Sequence, residues 1–209
     1  MIKFPEFTGV KCNMMPFVQG DSKSLPEAFQ SYAAIIDSNY LEKGEIGYLT
    51  IDESYVDAGK SQRGYNSHGL NRNVHIEVGR HIVNHWGDGE NGWGREHELF
   101  NGWGWGRGYT TLLDDDTMVL IANSISDTCR VWDAQEMAFT KDGDLSEHIH
   151  KYPEHTGILM KAGDLAKISI FTPHECIPQK QSGPRQFFRI VGKGVHGRES
   201  YFTVNPLLS

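Results

Sequence analysis

The feature that most constrains the fold is a series of short apolar segments, rich in β-branched and aromatic residues, separated by glycine, aspartate and proline. Such segments, bounded by turn-forming residues, predict β-strands rather than helices. The predicted strands are 46–51, 74–78 (with a continuation over 80–83), 117–123, 128–132, 158–160, 165–171, 186–191 and 201–204, with a hairpin across 124–127. We therefore expect a mainly β protein, arranged as a jelly-roll or cupin-like barrel.

The first 45 residues are expected to form an N-terminal arm followed by one helix. Residues 1–25 suggest an irregular arm. Ser24 and Glu27 match a capping box, and Pro26 is tolerated in a first helical turn. The apolar residues that follow at three- and four-residue spacing predict a helix that ends near Ser38 and buttresses the sheet: Phe29, Tyr32, Ala33, Ile36 and Tyr40.

Length and composition narrow the class of protein. A chain of 209 residues fits a single domain over 1–209, with a β-barrel core over 46–192 and a C-terminal tail over 193–209. The formal net charge of −7 argues against duplex nucleic acid as a partner. Three widely spaced cysteines, an N-terminus without a signal peptide and no membrane-spanning run predict a cytoplasmic protein without a membrane partner.

Residues 85–109 form a stretch in which tryptophan residues are interleaved with glycine. Trp86, Trp93, Trp103 and Trp105 lie in it. An aromatic ring with a polar N–H suits a half-wet pocket wall, so these four residues are candidates for binding a flat or sugar-like substrate. The alternatives are a loop that plugs one end of the barrel, or an interface of a homo-oligomer.

Two remote segments carry candidate metal ligands. His75 and Glu77 are two residues apart in a predicted strand, so their side chains point to the same face. His174 follows a predicted strand, and Arg185 lies 11 residues beyond it. Two imidazoles and one carboxylate form the facial triad that holds non-haem Fe(II) and leaves positions open for cosubstrates.

The order of these residues resembles the Fe(II)/2-oxoglutarate-dependent dioxygenase family, which has a double-stranded β-helix fold. The similar motifs are His75–Glu77, the segment from 160 to 175 with His174, and the segment 183–189. The resemblance implies Fe(II) on His75, Glu77 and His174, and 2-oxoglutarate paired with Arg185. The implied activity is hydroxylation of a small-molecule substrate. Arg189 shares a strand face with Arg185 and is a rival for the carboxylate role, while Asn123 or Arg130 are candidates for positioning the cofactor.

The sequence departs from the motifs of this family at two positions, and three alternatives to the implied site or function remain open. Glu77 stands where the family more often has aspartate, and Phe187 stands where it often has serine or threonine. The same barrel could instead be a non-catalytic binding protein for a nucleotide or sugar, or a metal-dependent cupin enzyme that does not use 2-oxoglutarate. In a further alternative, His150 or His155 joins His75 in a cupin-type site.

Overall fold

The computed structural model of the chain describes residues 1–63, 72–77, 101–103, 109–112, 117–136, 143–192, 195–197 and 202–208. The prediction of a mainly β protein is confirmed. Its strands are β1 (Lys11–Val18), β2 (Ile46–Val56), β3 (Val74–His75), β4 (Asn101–Trp103), β5 (Tyr109–Leu112), β6 (Met118–Asn123), β7 (Cys129–Val131), β8 (Ile158–Leu159), β9 (Leu165–Ser169), β10 (His174–Cys176), β11 (Gly183–Val191) and β12 (Val195–Gly197).

The strands form three sheets in which every neighbouring pair is antiparallel. Sheet A has the order β1-β2-β11-β6-β9, sheet B has the order β3-β10-β7-β8, and sheet C has the order β12-β5-β4. Sheet C therefore joins part of the predicted tryptophan loop to part of the predicted C-terminal tail. Among the described residues, no helix is long and apolar enough to cross a bilayer.

Sheets A and B pack against each other through an apolar cluster. Val119, Ile121 and Ile168 of sheet A meet Cys129 of sheet B there. The opposite face of sheet A carries Leu49, Ile51, Phe188 and Ile190, which are covered by the N-terminal helical segment. Because side chains alternate along a strand, the odd-numbered residues of β11 face sheet B, and among them are Arg185, Phe187 and Arg189.

The helical buttress exists, but it differs from the predicted helix. It consists of 3-10 turns at Ser22–Ser24 and Glu27–Tyr32, followed by one short α-helix, α1 (Ala33–Ser38). Phe29, Tyr32 and Ile36 pack on sheet A as expected. The predicted cap is wrong: Asp21 caps the first turn, while the Ser24 hydroxyl accepts from the amide of Val18.

Three local predictions are wrong. Residues 11–18 form an edge strand rather than an irregular arm. Its alternation of buried and exposed residues is interrupted by Pro16 and by a bulge between Cys12 and Met15, where Met14 has φ 48°, so the sequence pattern did not reveal the strand. Residues 124–127 are not a hairpin, because β6 belongs to sheet A and β7 to sheet B. Residues 202–204 are not a strand. The predicted continuation over 80–83 lies outside the described residues.

A buried carboxylate ties the N-terminal arm to the sheet. Glu53 is 1% exposed. One carboxylate oxygen accepts from the amides of Thr8, Gly9 and Val10, and the other accepts from the Tyr32 hydroxyl and the Gln186 amide group. Burial by itself raises the pKa of Glu53, but the hydrogen bonds from Gln186, Tyr32, Thr8 and Gly9 outweigh it, so the pKa lies below its ordinary value.

We predict that Glu53→Gln lowers the free energy of unfolding by about 2–3 kcal/mol at pH 7, because several buried donors lose a charged acceptor. A carboxylate with a depressed pKa stabilises the fold above its unfolded pKa, near 4.3, and that contribution disappears as pH falls through the folded pKa. Urea unfolding of the parent and of Glu53→Gln from pH 7 to pH 3 should therefore show that the difference in their free energies of unfolding decreases only below about pH 4.3. The control is Glu6→Gln on the same arm, where the side chain is exposed; a gap independent of pH contradicts the assignment.

Candidate metal centre

The two candidate imidazoles lie side by side between the sheets. Strands β3 and β10 pair so that His174 is directly opposite His75. The ring centroids are 4.1 Å apart with an interplanar angle of 60°, and the residues are 6% and 3% exposed. Residues opposite each other on neighbouring strands point to one face, so this pairing turns both rings toward sheet A.

Both histidines have the same local hydrogen bond. Nδ1 of His75 lies 2.9 Å from the carbonyl of Asn73, and Nδ1 of His174 lies 2.9 Å from the carbonyl of Thr172. A carbonyl only accepts, so each Nδ1 carries a hydrogen and, in the neutral ring, each Nε2 keeps its lone pair. Burial, together with the charge of Arg63, lowers the pKa of His75 well below its ordinary value, which keeps this ring neutral at pH 7.

Glu77 completes the cluster. Its Oε1 lies 3.4 Å from Nε2 of His174, and its Oε2 accepts from Nη1 of Arg189 at 2.8 Å. Nη2 of Arg189 donates to the Thr50 hydroxyl at 3.0 Å. Burial by itself would raise the pKa of Glu77, but the charge of the neighbouring Arg189 outweighs burial and holds the pKa well below its ordinary value. The side chain is therefore a carboxylate at neutral pH.

The donor chemistry of this cluster suits a divalent metal, although the atoms are not yet at ligand spacing. Imidazoles whose Nδ1–H groups are fixed by backbone carbonyls present Nε2 as the metal-binding atom, and two of them beside one carboxylate form a ligand set that suits Fe(II). Neighbouring ligand atoms of an octahedral ion lie roughly 3 Å apart, against the 3.4 Å between Glu77 and His174. Within the described ranges, no group of three His, Cys, Asp or Glu side chains is already arranged as a metal site.

Arg185 is a buried cation without a described counter-ion. The residue is 2% exposed. Its guanidinium donates to Asn123 Oδ1 at 2.6 Å, to the sulfur of Cys176 at 3.1 Å and to the carbonyl of Thr128 at 3.2 Å. Among the described residues, no carboxylate pairs with it, and Nε has no hydrogen-bond partner. Because an unpaired buried charge is costly, this geometry favours an anionic ligand beside Arg185.

The two arginines of β11 thus have different surroundings, although both face sheet B. Arg189 is paired with Glu77 within the cluster. Arg185 lies four residues earlier in β11, on the same face, and contacts Asn123 and Cys176. The structure therefore brings His75, Glu77, His174 and Arg189 together. It places Arg185 with Asn123 in the adjacent part of the same interior.

Arg130 lies elsewhere. Strand alternation places Arg130 on the face of β7 opposite to Cys129 and Val131, away from the imidazoles. There it forms ion pairs with Glu175 and with Glu154, and its guanidinium lies 5.8 Å from the Trp132 ring centre. Arg130 therefore does not lie beside the histidines, where the sequence had suggested that it positions a cofactor.

The other predicted residues are separate from the cluster. Trp86, Trp93 and Trp105 lie outside the described residues, and Trp103 is described only as the last residue of β4. His150 is exposed in the 3-10 turn Ser146–Lys151, and its ring lies beside that of His148 at 6.5 Å. His155 lies in a second 3-10 turn, Glu154–Thr156.

Sequence analysis did not identify Asp144 or Thr50 as neighbours of the cluster. Asp144 pairs with His75 through a single β-bridge and is buried. The bridge depends on Gly143, where φ is +71° and an added Cβ would lie 2.3 Å from the carbonyl oxygen of Ile76. That glycine was the only available signal, since a bridge between residues 69 positions apart leaves no local periodicity.

No protein-family model matches the chain, and no curated protein or solved structure matches it either.

Proposed function

We propose that this protein is a non-haem Fe(II)- and 2-oxoglutarate-dependent oxygenase that hydroxylates a small-molecule substrate. The observation that carries the proposal is the meeting of His75, Glu77 and His174 between the two sheets. Beyond them lies the buried Arg185, which has no carboxylate partner within the described part of the chain. The first group supplies the donor set of a facial triad, and the second supplies a fixed cation for a carboxylate.

The order of strands supports a jelly-roll for the same chain. From β2 to β11 the chain passes between sheets A and B, with β2, β6, β9 and β11 in sheet A and β3, β7, β8 and β10 in sheet B. Apart from the edge strand β1, sheet A has the order β2-β11-β6-β9, and sheet B has the matching order β3-β10-β7-β8. This interleaving of early and late strands is the pattern expected when two antiparallel sheets close into a double-sheet barrel.

The proposed function assigns a different role to each residue of the site. His75, Glu77 and His174 would hold the metal, and Arg189 holds the second oxygen of Glu77 so that Oε1 faces the imidazoles. Arg185 would bind the distal carboxylate of 2-oxoglutarate, with Asn123 fixing the guanidinium from behind. When bound, the metal and cosubstrate supply the oxidising chemistry; the protein orients them and excludes water.

The direct test is anaerobic addition of Fe(II) and 2-oxoglutarate to the metal-free protein. We predict a weak visible charge-transfer band that needs both additions, since the cosubstrate must chelate the metal. The matched control is succinate, which keeps one carboxylate for Arg185 but lacks the 2-oxo acid that chelates the metal. A protein that retains no Fe(II) and shows no band in the presence of 2-oxoglutarate contradicts the proposal.

A second candidate function is a non-catalytic protein that binds a small anionic ligand, such as a nucleotide, in the same barrel. The observation that favours it is the Glu77–Arg189 ion pair, which already neutralises the carboxylate of the candidate triad. His75→Ala separates the two functions. An oxygenase loses metal binding and turnover in this variant, whereas a binding protein keeps its affinity for the anion because Arg185 is unchanged.

A further inference from the structure

Two cysteines lie directly opposite each other on neighbouring strands of sheet B. Cys176 of β10 is in register with Cys129 of β7. The next pair along the ladder is hydrogen-bonded, since the amide of Ile177 donates to the carbonyl of Thr128 at 2.9 Å. Hydrogen-bonded and non-hydrogen-bonded pairs alternate in an antiparallel ladder, so the two cysteines occupy a non-hydrogen-bonded pair.

That kind of pair brings two thiols within bonding reach. Residues of a non-hydrogen-bonded pair have Cα atoms about 4.5 Å apart, and disulfides span Cα separations of about 4.4–6.8 Å. Both cysteines are thiols in this structure; Cys129 is buried, and Cys176 is partly exposed. A bond between them needs rotation of two side chains rather than movement of the strands.

The pair also lies within the candidate site. The sulfur of Cys176 is 3.1 Å from Nη1 of Arg185, and among the residues that the structure describes it is one of three acceptors that hold this guanidinium. Cys176 is two residues beyond His174 on the same strand and face. A change in the covalent state of Cys176 therefore acts on the cation that faces the proposed anion.

We propose that Cys129 and Cys176 form a redox-active dithiol, and that its oxidation to a cross-strand disulfide weakens anion binding at Arg185. With hydrogen peroxide as oxidant, the partly exposed Cys176 reacts first: its sulfur takes one oxygen to form a sulfenic acid, and the rest of the peroxide leaves as water. The sulfur of Cys129 then attacks the Cys176 sulfur and releases a second water. Two thiols and one hydrogen peroxide thus give one disulfide and two waters.

The effect on ligand affinity rests on the proposed function. In the disulfide, the Cys176 sulfur is held toward β7, and Arg185 loses an acceptor that fixes its orientation. Losing one hydrogen bond to a charged group corresponds to roughly a tenfold change in an equilibrium constant. We expect the affinity of the metal-loaded protein for 2-oxoglutarate to fall by roughly that factor on oxidation and to recover on reduction.

The experiment treats the metal-free protein with hydrogen peroxide, removes the peroxide, and measures the intact mass and a non-reducing peptide map. The expected product is lighter by about 2 Da, the mass of two hydrogens, with one cross-link between the peptides of Cys129 and Cys176. Cys12→Ala is the matched control and should behave like the parent, because Cys12 packs on the other face of sheet A. Cys129→Ser should instead accumulate oxygen adducts on Cys176.

The binding arm reloads each form with Fe(II) anaerobically and titrates 2-oxoglutarate before and after treatment with dithiothreitol. A lower affinity of the cross-linked parent, restored when dithiothreitol removes the cross-link, supports the proposal. Adducts on Cys176 in the parent without a cross-link overturn it, as does a cross-linked protein with unchanged affinity. If the reduced protein does not bind 2-oxoglutarate, the proposed oxygenase function fails, while the mass measurement still decides whether the dithiol is redox-active.

Discussion

His174→Ala is expected to lower the affinity of the protein for Fe(II) by at least about 100-fold, because loss of a partner that only orients a ligand already costs roughly 10–100-fold. His174 is central to the cluster: it lies opposite His75, and its Nε2 faces the carboxylate of Glu77. Its removal takes away one of the three donors, and it is the donor that contacts both His75 and Glu77. Equilibrium dialysis with Fe(II), or titration with Co(II) as a spectroscopic substitute, measures the loss.

The same variant tests whether the cluster is only a polar part of the core. His150→Ala is the matched control, because His150 is an exposed histidine outside the cluster. It should bind metal as the parent does, which also decides against a cupin-type site built from His150. Equal affinities for the parent and His174→Ala, in proteins with the same far-ultraviolet circular dichroism, would falsify the metal assignment.

Local periodicity identified most strands, since each strand records its own alternation of apolar and polar residues. The strands of sheet A at 46–56, 118–123, 165–169 and 183–191 were all predicted within a few residues of their observed ends, apart from the five-residue extension of β2. The edge strand β1 was missed because Pro16 and the bulge at Met14 break its period. Strand pairing could not be read locally, and a false hairpin was predicted where the chain passes from sheet A to sheet B.

The candidate site shows the same division between local and remote information. A spacing of two residues predicted that His75 and Glu77 share a face of one strand. Both are buried toward the same interior, although β3 ends at His75 and Glu77 lies just beyond it. The approach of His174 depends on pairing across 99 residues, for which only the resemblance to a known family provided a reason. Nor could alternation separate Arg185 from Arg189, because the two share a face; only the three-dimensional arrangement gives Glu77 to Arg189.

This difference between the two arginines predicts that replacing each by methionine changes the free energy of unfolding by very different amounts. Arg189→Met leaves the buried carboxylate of Glu77 without its cation, and breaking a buried pair in this way costs about 3–5 kcal/mol of the free energy of unfolding. Arg185→Met removes a buried charge that has only neutral acceptors among the described residues. Relief of its desolvation, worth several kcal/mol, offsets the lost hydrogen bonds, so stability should change by less than about 1 kcal/mol.

Ligand binding should rank the two variants in the reverse order. In the metal-loaded protein, Arg185→Met should weaken 2-oxoglutarate binding by at least about 100-fold, because a charge-assisted, bidentate contact is lost. Urea unfolding of the metal-free proteins and anaerobic titration with 2-oxoglutarate measure the two quantities. A metal-dependent enzyme that does not use 2-oxoglutarate would keep its activity in Arg185→Met. If Arg185→Met instead loses about 3–5 kcal/mol of stability, the charge of Arg185 is compensated within the fold of the parent. The reason to expect an anionic ligand beside Arg185 would then disappear.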